Sequence, residues 1–206
     1  MKKYSIALLF VFLSVFSSQA YAQMSHNEKS YYEDYKSIIQ VMKADMGKAA
    51  QTGDPSLDFL NEMIPHSEAA VSMAENILKY GKNEQVKKLA ETILREQLNG
   101  TAQMEELKSR LEANPQVNKQ AEAAYLKSYI TIYNTMIAAM ESAKPTGNID
   151  RDFLTEMLPH QNAAIQMGNN ILRYTQNREL RTIVQNMMTK QQKQVTGLNN
   201  LLKAIQ

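Results

Sequence analysis

The sequence contains no cysteine and no tryptophan. Without cysteine, the chain has no disulfide bond, no thiolate zinc site, no iron–sulfur cluster and no cysteine nucleophile. Seven glycines and five prolines among 206 residues are too few for a turn-rich β protein or for long disordered linkers. Alanine, leucine, methionine, glutamine, glutamate and lysine, which favour helices, are abundant instead. The composition therefore predicts an all-α protein, and the chain is long enough to bury a core without a disulfide or a metal.

The beginning of the sequence has the pattern of a secretory signal peptide. Lys2 and Lys3 precede an apolar run over residues 6–16, and Ala-Tyr-Ala at residues 20–22 places small residues where signal peptidase cleaves. The apolar run is shorter than a membrane span, although an uncleaved signal anchor is the alternative. We therefore predict a signal peptide over residues 1–22 and a periplasmic or secreted mature protein.

The mature protein is expected to carry no formal net charge. Removal of Lys2 and Lys3 leaves 21 basic and 21 acidic residues. A neutral surface without a basic cluster gives no support for nucleic-acid binding. In an exported protein without thiols, binding of a soft metal has to use thioether and imidazole side chains.

The sequence contains an internal repeat at an offset of 94 residues. The register holds without a gap from about residue 35 to the end, and its densest part aligns DFLNEMIPHSEAAVSMAENILKY with DFLTEMLPHQNAAIQMGNNILRY. Such a repeat predicts two equivalent structural units, related by a pseudo-twofold axis. We assign the first unit to residues 23–116 and the second to residues 117–206, and we expect the two units to form one domain.

Each unit is predicted to contain three helices. In the first unit, the hydrophobic periodicity predicts helices over residues 27–50, from Ser56–Asp58 to Tyr80, and over residues 84–111. Either Ser56 or Asp58 is expected to cap the second helix, and Pro65 within it predicts a kink. The third helix has apolar steps of four and three residues, as antiparallel bundles do. The expected architecture is an all-α antiparallel bundle of two tandem three-helix repeats.

Methionine and histidine recur at the same positions of both repeats. Met63, His66 and Met73 are separated by three and seven residues, so one helix carries them on one face. Met42 and Met46 form a second thioether pair on the preceding helix. The second repeat reproduces all five residues, as Met136, Met140, Met157, His160 and Met167. Thioethers with an imidazole suit Cu(I) or its mimic Ag(I), and suit zinc, magnesium or calcium poorly.

Structural and functional interpretations of these residues are both open. Methionines at helical spacing often fill gaps in a core, and Met42 and Met46 fall on an apolar stripe. Each motif histidine follows a proline and lies between apolar neighbours. It is either a metal ligand or a hydrogen-bonded core residue. Gln97 and Gln191 occupy matched positions of the third-helix seam. Each of them either fixes the tautomer of a histidine by a hydrogen bond or lies partly exposed at the end of the bundle.

The motif around each histidine resembles the F-x-x-x-M-I-P-H-H-x-x-A-x-x-M-A signature of the DUF305 family. The matching residues are Phe59, Met63, Ile64, Pro65, His66, Ala70 and Met73, and then Phe153, Met157, Leu158, Pro159, His160, Ala164 and Met167. The resemblance covers nearly the whole mature chain. It implies a ferritin-like helical bundle and copper binding through the methionines and histidine of each motif, with the additional methionine pairs as further ligands. The second histidine of the signature is Ser67 in one repeat and Gln161 in the other, which favours a softer site over Cu(II) and redox chemistry.

Three functions are compatible with these features. Our prediction is a non-enzymatic protein that sequesters or delivers Cu(I) or Ag(I) in metal resistance, at exchangeable sites near the inter-helix surface, with a metal-transfer partner in the envelope. The histidine contribution is expected to fade as imidazole protonates below about pH 6.5. A ferritin-like di-iron enzyme is the second possibility, indicated only by the spacing of Glu62 from His66 and of Glu156 from His160. The third is a metal-free helical adaptor of the cell envelope.

Overall fold

The computed structural model describes residues 24–205, so the predicted signal peptide lies outside the described part of the chain. These residues form six α-helices and no strand. The helices are α1 (His26–Gly47), α2 (Pro55–Tyr80), α3 (Glu84–Glu112), α4 (Lys119–Glu141), α5 (Ile149–Ile171) and α6 (Arg178–Ala204). The predicted all-α fold with three helices in each repeat is confirmed.

The start of α2 differs from the prediction. Asp54, rather than Ser56 or Asp58, is the N-cap, and its side chain accepts a hydrogen bond from Ser56 N at 2.8 Å. The reason is that Pro55 occupies the first helical position, where its missing N–H costs nothing. Asp58 instead accepts hydrogen bonds from the backbone and side chain of Thr52, at 2.7 and 2.8 Å. The carboxylate predicted as a cap therefore closes the preceding loop.

The loop before α5 repeats this arrangement. Thr146 donates to Asp152 through its backbone N at 2.9 Å and its hydroxyl at 2.6 Å. Gly53 and Gly147 turn the chain in the two loops with φ angles of 86° and 83°, a region that favours glycine. Matched loops therefore place α2 and α5 in equivalent positions.

The six helices pack as a pseudo-twofold pair of three-helix units. Within each repeat the middle helix, α2 or α5, packs against the helices before and after it. Between repeats, α1 packs on α4, α2 on α5 and α3 on α6. Each helix thus meets its own counterpart, which is the arrangement that the internal repeat predicts. Both α2 and α5 continue through Pro65 and Pro159 without a break in helical structure, and the kink expected at Pro65 stays a prediction.

None of the helices within residues 24–205 combines the length and the apolar character that crossing a membrane requires.

Candidate metal centre

The two motif histidines meet where α2 packs against α5. The ring centroids of His66 and His160 are 3.8 Å apart, with an angle of 30° between the ring planes. Both side chains are 0% exposed. Since the two residues are counterparts in the repeat, their contact lies on the pseudo-twofold axis. The structure therefore brings together two histidines that are 94 residues apart in the chain.

Most imidazole nitrogens of this pair have no hydrogen-bond partner. His160 Nε2 donates to the carbonyl oxygen of His66 at 3.1 Å. Within residues 24–205, nothing is bonded to Nδ1 or Nε2 of His66 or to Nδ1 of His160. Buried polar groups in proteins are normally hydrogen-bonded, so three unpartnered nitrogens at one point are unusual. The structural alternative of two hydrogen-bonded core histidines is therefore met only by His160, and the assignment of the pair as metal ligands stays a prediction.

Burial keeps both imidazoles neutral. It lowers the pKa of His160 to about 4, although the His66 carbonyl works in the opposite direction. The pKa of His66 is also well below its usual value, because of burial first and the neighbouring His160 second. The predicted protonation of the histidines below about pH 6.5 is therefore wrong. A neutral imidazole is the form that binds a metal ion, so the pair keeps its donor capacity in mild acid.

All eight repeated methionines lie in the hydrophobic core, and none is more than 4% exposed. They are Met42, Met46, Met63, Met73, Met136, Met140, Met157 and Met167. The expectation of exchangeable sites near the inter-helix surface is wrong, because the four helices that carry these residues turn them toward a common core. Any ion that the methionines and histidines bind is therefore enclosed by the bundle.

Tyrosine–glutamate pairs beside the histidines were not anticipated from the sequence. Tyr31 donates a hydrogen bond to Glu156, and Tyr125 donates one to Glu62, so each pair joins the two repeats. Burial raises the pKa of both glutamates to about 8, although the tyrosines work in the opposite direction. Both carboxyl groups are therefore largely protonated at neutral pH. The sequence did contain a signal for these pairs. The two tyrosines are counterparts at the repeat offset of 94 residues, and so are the two glutamates.

A second symmetric contact fixes the same tyrosines. Asn76 donates to the carbonyl oxygen of Tyr31 at 2.9 Å, and Asn170 donates to that of Tyr125 at 3.0 Å. These bonds hold α1 on α2 and α4 on α5 beside the histidine pair. The glutamates of the proposed di-iron motif are thus engaged with tyrosines. In the part of the chain that the structure describes, no three His, Cys, Asp or Glu side chains form a group that could hold a metal ion.

Gln97 and Gln191 lie inside the bundle, between α3 and α6. They are 6% and 2% exposed, so a position at the open end of the bundle is wrong. The alternative hydrogen bond to a histidine is not formed either. The one imidazole nitrogen with a partner, His160 Nε2, donates to a backbone carbonyl oxygen. Both side-chain amide atoms of Gln191 are without a partner. The two glutamines instead line a small cavity.

These features define a helical-bundle protein with two buried histidines and a core rich in thioethers. The chain belongs to the DUF305 family, whose model, described as "Domain of unknown function (DUF305)", matches residues 54–202. Among proteins with curated functions, none matches this sequence.

Solved structures share this fold. The apo form of CopM is 22% identical, with a TM-score of 0.55 over 73% of this chain and 97% of that chain. CopM in the Cu(II)-bound form gives the same identity and TM-score over 73% and 98%. A soaked Ag-bound form of CopM is also 22% identical, with a TM-score of 0.55 over 73% and 96%. A DUF305 fragment from Deinococcus radiodurans is 20% identical, with a TM-score of 0.55 over 73% and 97%. At these identities the similarity establishes the fold.

Proposed function

We propose that this protein binds Cu(I) or Ag(I) at one centre shared by the two repeats, and that it sequesters or delivers the ion in the cell envelope. The observation that supports this best is the pair of buried imidazoles on the pseudo-twofold axis, in which three of the four nitrogens have no hydrogen-bond partner within the described residues. Because the rings are 3.8 Å apart, an ion bound by either histidine lies beside the other. One shared centre is therefore favoured over two independent ones.

The chemistry of the surroundings favours a monovalent soft ion. Met63 and Met157 are three residues from the histidines on the same helices and are 0% exposed, and the other repeated methionines share their core. Thioether and imidazole donors are neutral, and the nearby Glu62 and Glu156 are largely protonated at neutral pH. A buried site without a compensating negative charge holds one positive charge at a lower desolvation cost than two. Cu(I) and Ag(I) meet this condition, and both prefer soft donors.

The comparisons support the same class of ligand. CopM, which shares the fold, has been solved in Cu(II)-bound and Ag-bound forms. The signal peptide predicted over residues 1–22 fits a periplasmic or secreted protein, and a metal-transfer partner in the envelope fits delivery.

An anaerobic competition titration tests the proposal. The mature chain competes for Cu(I) with a chromophoric chelator, beside the double variant His66→Phe/His160→Phe, which retains two stacked rings and removes their nitrogens. We expect tight Cu(I) binding by the wild type, weaker binding by at least about tenfold in the variant, corresponding to about 1.4 kcal/mol, and no comparable Zn(II) uptake. Melting followed by circular dichroism establishes that each variant is folded.

A second set of variants tests the methionines, with Met188→Leu as the control. Met63→Leu/Met157→Leu removes two candidate thioethers with little change in volume. Met188→Leu removes a thioether whose counterpart in the first repeat is already Leu94. We expect weaker Cu(I) binding in the first variant and unchanged binding in the second. Equal effects of the two substitutions would remove the assignment of the repeated methionines as ligands.

A metal-free helical adaptor of the envelope is the second candidate. The complete burial of the eight methionines favours it, because flexible side chains that only fill a core show the same burial. If the wild type does not compete for Cu(I), the methionines and histidines are structural and the adaptor function takes precedence.

A further inference from the structure

A small cavity lies between α3 and α6. Ser67, Gln97 and Gln191 line it, and the exposed residues Gln103 and Asn186 lie at its rim. The room for the centres of water-sized molecules is about 30 Å³. One water needs at least about 10 to 15 Å³ by this measure, so the cavity is large enough for one or two waters. It is thus a narrow cavity that Ser67, Gln97 and Gln191 border from within the bundle.

The cavity lies on the same axis as the histidine pair. Gln97 and Gln191 are counterparts in the repeat, and both line it, just as the counterparts His66 and His160 meet between α2 and α5. Residues that meet their own counterparts lie on the pseudo-twofold axis. Ser67, which follows His66 in the chain, lines the cavity from α2. The cavity thus reaches the residue next to His66 in the chain, and its lining does not include either histidine.

Unpartnered polar atoms are concentrated in this region. Eleven buried side-chain nitrogen and oxygen atoms within the described residues have no hydrogen-bond partner. Seven of them belong to five residues of this region: His66, Ser67, His160, Gln161 and Gln191. Ser67 is 1% exposed and Gln191 is 2% exposed, and both line the cavity. A group of polar atoms without protein partners is suited to water or to a cation in transit.

The two repeats differ at this point. Ser67 and Gly100 of the first repeat correspond to Gln161 and Gln194 of the second. Gln161 Nε2 donates to Gln194 Oε1 at 2.7 Å, and Gln194 Nε2 donates to Glu96 Oε2 at 2.6 Å. These hydrogen bonds link α5 through α6 to Glu96 of α3, and Gln194 and Glu96 border the cavity. On the first-repeat side, a Cβ placed on Gly100 would have no atom within 4 Å.

We propose that the cavity above Ser67 is the access route by which a soft cation reaches the histidine pair, and that the hydrogen-bonded chain Gln161–Gln194–Glu96 closes the equivalent side of the second repeat. Met104 and Met187 line the same cavity and present thioethers along the route. The inference rests on the proposed Cu(I) or Ag(I) binding. It adds that loading takes place from one face of the bundle, through the small side chains of the first repeat.

Closing the route separates the rate of loading from affinity. The variant Ser67→Gln/Gly100→Gln places in the first repeat the two side chains that close the second. We expect Cu(I) transfer from a weak chromophoric complex, followed by stopped-flow absorbance, to be at least tenfold slower than in the wild type. The dissociation constant for Cu(I) is expected to change less than threefold, because loading and release are slowed together. Circular dichroism melting establishes that the variant is folded.

Two further variants complete the test. Gly100→Gln alone has space for its Cβ, so it carries the test if the double variant does not fold, with an expected slowing of at least threefold. Gly47→Gln is the matched control, since Gly47 also has no atom within 4 Å of an added Cβ but lies at the end of α1. Its loading rate is expected to equal that of the wild type. Wild-type loading rates in both folded route variants would overturn the access route while leaving the proposed function intact. Absence of Cu(I) binding by the wild type would overturn both.

Discussion

The two repeats are alike where they face each other and differ toward the α3–α6 surface. Across the axis, the Tyr31–Glu156 bond has an equivalent in Tyr125–Glu62, and His66 faces His160. Toward α3 and α6, the first repeat has serine and glycine where the second has a pair of hydrogen-bonded glutamines. The symmetry is therefore local to the centre of the bundle.

The difference separates two requirements of a buried site. A centre shared by both repeats needs matching donors from each, because the same pair of helices supplies both halves of it. An opening to solvent is needed on one side only, and a second opening would leave further buried polar groups without partners.

The largest effect is expected from core truncations that test the equivalence of the repeats. Phe59 and Phe153 are counterparts, and both are 0% exposed. Replacing either by alanine leaves a cavity and should lower the free energy of unfolding by about 3 to 5 kcal/mol. Urea denaturation should give two costs that agree within about 1 kcal/mol, because the two sites have the same burial.

A surface substitution controls for side-chain loss in itself. Val41→Ala, at a position that is 58% exposed, should change the free energy of unfolding by less than about 0.5 kcal/mol. If one phenylalanine substitution costs less than half as much as the other, the two halves of the core are not equivalently packed.

The buried glutamates predict an intermediate, pH-dependent effect. Burial raises the pKa of Glu62 and Glu156 from 4.5 to about 8 in the folded protein. Below pH 4.5 both carboxyl groups are protonated in folded and unfolded chains, and the full stability is present. As pH rises from 4.5 to 8 the unfolded chain loses its protons first, so the free energy of unfolding falls with rising pH. Above pH 8 this contribution levels off.

Glutamine variants isolate this contribution. Glu62→Gln and Glu156→Gln retain an oxygen that accepts the tyrosine hydrogen bond and remove the ionisation. Each should flatten the decline in stability of the metal-free protein between pH 5 and pH 8, and by a similar amount, as measured by urea denaturation at a series of pH values. A decline as steep as that of the wild type in both variants would contradict the raised pKa values.

The smallest effect is expected at two helical glycines. Gly100 has no atom within 4 Å of an added Cβ, so Gly100→Ala should raise the free energy of unfolding by about 0.5 to 1 kcal/mol. At Gly168 the added Cβ would lie 2.8 Å from Cγ and Sδ of Met188. Thermal unfolding should show no gain, or a loss, for Gly168→Ala. In the first repeat, the counterpart of Gly168 is Ala74, and the counterpart of Met188 is Leu94. Equal gains at both positions would show that the methionine side chain moves aside freely.

Most of the fold follows from local signals. The predicted end of the first helix, residue 50, is three residues beyond the observed end, and the third helix ends one residue beyond the predicted end. These helices have a long apolar periodicity, which dominates their local preferences. The cap of α2 was predicted wrongly because Asp54, Ser56 and Asp58 are all suitable caps, and the position of Pro55 and the loop bonds of Thr52 decide among them.

The candidate site was predictable only as a set of residues on helix faces. Spacing places Met63, His66 and Met73 on one face of α2, and all three are buried there. It does not reveal that His66 stacks on His160, since that contact depends on how α2 packs on α5. The surface location and the ordinary imidazole pKa were wrong for the same reason, because both depend on burial by the other repeat.

The sequence by itself determined six amphipathic helices, their duplication and the positions of the repeated methionines and histidines, because each of these is encoded by residue type and spacing along one segment. The tertiary structure alone decided which of these side chains meet and that the bundle encloses them. Those properties arise from contacts between segments about 94 residues apart, where the packing of whole helices sets distance and burial.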